Sequence, residues 1–161
     1  MRVGVFSDSH GDHRALDELL EKMGWLDAVC FLGDVAQDAE YLRLCLAEML
    51  HQPPLYAVRG NNDVFSTCAL PWEQLIELDG VRIYMTHGHR VTSLMSLCYK
   101  AQEQEAQAAL FGHTHQAFCE TRQGVLLLNP GSAGNYCRGG RARASVLTLK
   151  HGLCSVSHVL L

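Results

Sequence analysis

The 161-residue chain has no pair of cysteines at CxxC spacing, no block of lysine and arginine, and no apolar run long enough to cross a bilayer. Each absence removes a class. Seven cysteines, an odd number scattered through apolar segments, argue for reduced core thiols and against a disulfide framework. A formal charge of −4 with no basic cluster leaves no electrostatic footprint for duplex nucleic acid. Without a spanning run, no membrane partner is expected. The opening "MRVGVFSDSHG" enters a strand directly and does not read as a signal peptide, so the expected location is cytoplasmic. No linker, repeat or low-complexity stretch divides the chain, and one domain over residues 1–161 is expected.

What is present is a large apolar fraction. Hydrophobic residues make up 48% of the chain and charged residues 19%, enough to bury a sizeable core. "RVGVF" reads as a strand. After it, Ala15, Leu16, Leu19, Leu20 and Met23 share one helical face, with Asp12 placed as an N-cap. "DAVCFLG" is a second strand. Residues 38–50 carry Leu42, Cys45, Leu46, Met49 and Leu50 at helical spacing, Pro53-Pro54 ends that helix, and "LYAV" follows as a third strand. This alternation predicts a parallel α/β core. The second half changes grammar. Asp79-Gly80 between "LIEL" and "VRIYM" signals a hairpin, a helix is expected from Ser93 to Glu105, and "AALF" and four more strands follow. A parallel half followed by antiparallel hairpins predicts two mixed β-sheets packed face to face with helices outside.

Polar groups stand at the tips of the apolar strands. They are Asp8 and His10 in "SDSH", Asp34 in "GD", Asn61 in "GNND", His87 in "THGH", and His113 with His115 in "GHTH". A carboxylate such as Asp34 at the end of a buried strand has lost water and needs something positive beside it. In open α/β sheets the carboxyl ends of strands are where ligands bind. Singly, each fragment has an ordinary explanation, since "GNND" suits a turn and "THGH" a solvated loop. Together they form an oxygen and nitrogen donor set without thiolate, suited to divalent Mn, Fe, Zn, Co or Ni. The set is too large for one tetrahedral ion and serves two if a carboxylate bridges. Gly33, Gly60, Gly88 and Gly112 adjoin these residues, where the chain must turn or approach closely.

In the order DxH, GD, GNxD, HGH and GHxH, these motifs resemble the calcineurin-like metallophosphoesterase superfamily. "GNND" and the later "NPGS" make the chain similar to its small bacterial and archaeal phosphodiesterase branch. The resemblance runs from Asp8 to Ser132 and implies an α/β/β/α sandwich. It implies that Asp8, His10 and His115 hold one metal, that Asn61, His87 and His113 hold another, and that Asp34 bridges them. The implied cofactors are two divalent ions per chain, manganese first, with iron, nickel, zinc, cobalt or magnesium as the others. The implied activity is that of a metal-dependent phosphoesterase, foremost a phosphodiesterase, in which a bridging hydroxide attacks a small phosphate ester.

Two departures bear on catalysis. Where most of the family has histidine to assist the leaving oxygen, this chain has Asn62, followed by Asp63; an amide cannot give up a full proton at neutral pH. His89 and His13 are the substitutes at hand. Arg138, shortly after "NPGS", and Arg59, before "GNND", are the candidate substrate-phosphate ligands. The alternative function is a catalytically weak metal-binding scaffold acting through protein contacts. The apolar "VLLL" and "HVLL" strands offer an edge for a homodimer or higher oligomer.

Overall fold

Both faces of the first strand, β1 (Arg2–Phe6), are apolar, and they enter different cores. Val3 and Val5 join a cluster with residues of a second sheet, whereas Phe6 packs among helical residues. This alternation sets the layer order. A computed structural model of the chain describes residues 1–64, 66–134 and 140–161.

Strands β2 (Ala28–Phe31) and β3 (Leu55–Ala57) extend β1 in parallel, in the register Val3↔Ala28 and Val29↔Leu55. Helices α1 (His13–Met23) and α2 (Ala36–Glu48) make the connections and cover the outer face. The second half supplies the hairpin β4 (Glu73–Leu78) and β5 (Val81–Thr86), helix α3 (Leu94–Glu103), and strand β6 (Ala108–Leu110). A second hairpin, β7 (Phe118–Arg122) and β8 (Val125–Asn129), precedes a third, β9 (Arg143–Lys150) and β10 (Leu153–Leu160). The sheet orders are β10-β9-β1-β2-β3 and β4-β5-β6-β8-β7. Val3, Val5, Cys30 and Leu32 of the first sheet meet Ile83, Met85, Leu110 and Leu128 of the second. Helix α3 closes the far side through Leu97, Cys98 and Ala101 on Tyr84, Ala109 and Leu127. The architecture is the expected α/β/β/α sandwich.

Local signals explain the elements. Asp12 caps α1 by accepting the Ala15 N–H at 3.0 Å, and the five expected residues of that helix are its buried face. Asp79 and Gly80 both adopt positive φ, as their tight hairpin requires. One expectation needs correction. Helix α2 starts at Ala36, where a carboxylate from a distant loop accepts the first N–H, and ends at Glu48, leaving Leu50 fully exposed. The second sheet is mixed, as expected. Strands β5, β6 and β8 run parallel, since α3 returns the chain between β5 and β6 and β7 takes the outer edge. The carboxyl ends of five parallel-paired strands, β1, β2 and β3 in one sheet and β5 and β6 in the other, thus carry the polar residues of interest. No helix among the described residues is long and apolar enough to cross a membrane.

Candidate metal centre

Asp8 follows β1 with its side chain fully buried. Its Oδ2 accepts from Ser7 Oγ at 2.6 Å and from the His113 N–H at 3.0 Å. Its Oδ1 is buried, has no hydrogen-bond donor among the described residues, and faces His115 Nε2 at 3.3 Å and His87 Nε2 at 3.8 Å. A carboxylate oxygen so placed is costly unless a cation meets it.

His87, after β5, is equally buried. Its Nδ1 lies 2.7 Å from the Leu32 carbonyl, which can only accept, so Nδ1 carries the hydrogen and Nε2 presents a lone pair. That Nε2 faces Asn61 Oδ1 at 3.1 Å and Asp34 Oδ1 at 3.6 Å. Asn61 is oriented by its own amide nitrogen, which donates to Asn62 Oδ1 at 3.3 Å and leaves its oxygen turned to His87. Acceptors from Asp8, Asp34, Asn61 and His87 therefore converge, with the Asn62 N–H on Asp34 Oδ1 the one donor between them among the described residues.

The other side of Asp34 holds a second cluster. Single ligand atoms of Asp8, His10, Asp34 and His115 all lie within 4.8 Å of one another, a spacing one ion can satisfy. His10 Nε2 is 3.6 Å from Asp34 Oδ2 and 3.3 Å from His115 Nε2. The His113 ring stands edge-on to His87 at 5.3 Å between centroids. The structure thus gathers all seven residues picked out by the strand-end motifs around Asp34. The donor set and the orphaned Asp8 oxygen fit divalent cations.

Backbone strain marks the same place. Asp8, His10, Asp34, His113 and His115 all have positive φ, a conformation that costs non-glycine residues energy and collects at functional sites. Gly112 owes its place to contact. A Cβ there would collide with Ser7 Oγ and lie 2.8 Å from Asp8 Oδ2.

The surrounding residues hold these loops, and sequence reasoning missed most of them. Asp38, on the buried side of α2, accepts Ser9 Oγ at 2.5 Å and the Gly11 N–H at 2.8 Å, fixing the turn that carries His10. Its Oδ1 engages His13 Nε2 at 3.0 Å, and His13 also stacks on Tyr41. His13 is thereby committed to α2. "NPGS" is a brace. Asn129 donates to the Gly112 carbonyl at 2.8 Å, and Ser132 Oγ donates to the Asp8 carbonyl at 2.7 Å. The tetrapeptide offered no such signal by itself, because its partners are more than a dozen residues away.

Asp63 has both oxygens occupied, by the Gly60 N–H and the Ala36 N–H, each at 2.7 Å. It ties the "GNND" turn to the start of α2. Asn62 is exposed and its amide donates to Asp34 Oδ2 at 2.7 Å. Arg59 Nη2 points to the carbonyls of Cys68 at 3.2 Å and Ser66 at 3.4 Å. Arg138 lies outside the described residues. His89 is adjacent to the centre, its ring 5.6 Å from that of His87. Burial first, then His87, Arg90 and His113, hold its pKa below the ordinary imidazole value. The thiols whose pKa moves (Cys30, Cys45, Cys119 and Cys154) all move up, with burial the leading cause, so none of them is an activated nucleophile.

Comparison with known proteins agrees with this geometry. Residues 1–152 match the calcineurin-like phosphoesterase superfamily domain. Phosphodiesterase YfcE of Escherichia coli K12 is 30% identical over 152 residues, covering 82% of this chain and 79% of the relative. A crystal structure of a phosphoesterase-like protein from Streptococcus pneumoniae TIGR4 superposes with TM-score 0.77 at 28% identity, covering 99% of this chain and 88% of the other. Vps29 from Entamoeba histolytica, solved with zinc, shares the fold at TM-score 0.74 and 20% identity, with 99% of each chain covered. Strand order, the residues gathered at the strand ends and a family match over most of the chain all agree: this protein belongs to the calcineurin-like phosphoesterase superfamily.

Proposed function

We propose that the chain is a metal-dependent phosphodiesterase that hydrolyses a small phosphate ester at a centre for two divalent ions, manganese foremost. The observation that carries this reading is the convergence of buried lone pairs. Asp8 Oδ1, Asp34 Oδ1, Asn61 Oδ1 and His87 Nε2 face one another, Asp34 Oδ1 meets only the Asn62 N–H and Asp8 Oδ1 no donor among the described residues, and a cation would stabilise that arrangement. In the proposed assignment Asp8, His10 and His115 serve one ion, Asn61, His87 and His113 the other, and Asp34 both. When bound, the ions supply Lewis-acid neutralisation of the phosphoryl oxygens and an activated water as nucleophile.

The chain's own residues then have distinct tasks. In the neutral imidazole of His87 the Leu32 carbonyl keeps the hydrogen on Nδ1, so the nitrogen facing the centre offers its lone pair to an ion. Ser7 and the His113 N–H hold Asp8 Oδ2 and leave Oδ1 for the centre. Asn62 grips Asp34 and, as a neutral amide, offers a leaving oxygen a hydrogen bond and no proton. Asp63 supports Asn62 by anchoring its turn. Arg59 organises the segment between Ser66 and Cys68, and Arg138 remains a proposed phosphate ligand. Similarity to a protein named a phosphodiesterase at 30% identity supports the diester reading.

The test is turnover of bis(p-nitrophenyl) phosphate by the purified protein with added Mn. Turnover is expected, and both His87→Ala and Asn61→Ala should abolish it while circular dichroism shows a retained fold. Metal binding with no turnover over a broad ester panel favours the scaffold reading.

A further inference from the structure

Next to His89, the rim of the centre carries an arrangement the catalytic reading leaves unused. The Trp72 ring lies 5.4 Å from the His89 ring, and His89 in turn touches the rings of His87 and His113. Two arginines from different loops converge on this one indole. The Arg90 guanidinium carbon sits 4.0 Å from the ring centroid and that of Arg59 4.8 Å. Arg59 spends its Nη2 on the Ser66 and Cys68 carbonyls, which pins the loop leading to Trp72. Arg90 is exposed, and among the described residues it forms no salt bridge. The nearby carboxylate, Glu73, is taken by Lys100 Nζ at 2.7 Å. In a chain of net charge −4, this is an ordered cation left open beside an anion-processing centre.

We propose that Arg90, stacked on Trp72, is a second anion subsite that receives a phosphoryl group of the substrate other than the one cleaved. The proposal rests on the phosphoesterase reading and narrows it to esters bearing a further phosphate. Cation–π contact holds the guanidinium over the indole, so part of its rotamer freedom is already spent before the ligand arrives. The planar fork can then meet a phosphate with paired N–H donors, which a lysine cannot reproduce. The ring of His89 lies between Trp72 and the rings of His87 and His113, so Arg90 addresses a group beyond the scissile phosphorus.

Calorimetric binding of thymidine 3′,5′-bisphosphate and thymidine 5′-monophosphate to the Mn-loaded protein tests this. Turnover of the 5′-p-nitrophenyl esters with and without the 3′-phosphate is read alongside. A charge-assisted contact predicts roughly 10- to 100-fold tighter binding of the bisphosphate. Arg90→Ala should collapse that ratio toward one, and Arg90→Lys should recover only part of it. Equal affinities in the wild type, or a ratio kept by Arg90→Ala, overturns the subsite. A ratio that depends on Arg90 without turnover of either ester sinks the hydrolase reading and keeps the subsite. Turnover of both esters with no binding preference does the reverse.

Discussion

The Asn62 carboxamide donates to Asp34 Oδ2 at 2.7 Å while the backbone N–H of the same residue donates to Asp34 Oδ1 at 3.1 Å. One asparagine therefore sets both oxygens of the carboxylate at the middle of the centre. It also occupies the place that the resemblance gives to a histidine assisting the leaving oxygen.

Asn62 carries the first prediction. An aryl diester expels a stabilised phenolate, whereas an alkyl monoester needs a proton at its leaving oxygen, help typically worth about 10²- to 10⁴-fold. Wild type should turn over bis(p-nitrophenyl) phosphate far faster than an alkyl monoester. Asn62→His should narrow that gap. Because Asp63 is engaged by Gly60 and Ala36, the new imidazole would lack a carboxylate to orient it, and the gain should fall short of the full range. Comparable wild-type rates on both esters would show that the proton comes from elsewhere, with His89 the first residue to replace.

Gly112 offers a steric test. A methyl group at this position must push Ser7 Oγ aside, and Ser7 is the donor that orders Asp8. Gly112→Ala should cost about 1–3 kcal/mol by urea unfolding, in the range of overpacked cores, and should weaken Mn binding as well. Adding Ser7→Gly vacates the space, so the double variant should regain stability without regaining full metal affinity. Additive losses in the double variant would mean the clash is not with Ser7.

A pH effect follows from Cys30. Burial in the core between the sheets pushes its thiol up to about 12. The unfolded thiol ionises near the ordinary thiol value of 9.0, so between these values the folded chain binds the extra proton. Its contribution to stability is complete below pH 9 and is lost as the pH rises toward 12, with a limiting slope of about 1.4 kcal/mol per unit. Cys30→Ala should flatten the stability profile above pH 9, as read by urea midpoints. An unchanged slope would assign alkaline unfolding to other groups.

The legible and illegible parts of this protein differ in physical kind. The faces of α1, the Asp12 cap and the Asp79-Gly80 turn are local, determined by neighbours within a few residues, and the sequence shows them directly. The strand-end residues were also visible, because a polar side chain directly after a buried apolar run is conspicuous. Asp38 and Asp63 were not readable as anchors, since the donors they satisfy come from other loops and leave no periodic trace. The start of α2 was misplaced for that reason. The parallel run β5-β6-β8 was hidden because a hairpin signal states which strands are joined and not which edge each one takes. Nothing beside Trp72 in the sequence sets it apart from a packing residue, and only its two arginine neighbours give it another meaning.

The central claim is that Asp34 joins two ion sites, and Mn titration of the metal-stripped protein, followed by calorimetry, tests it most directly. Two ions per chain are expected for the wild type, with both sites weakened by Asp34→Asn and one mainly weakened by His115→Ala. Saturation at a single ion, with Asp34→Asn binding as tightly as the wild type, would contradict the account.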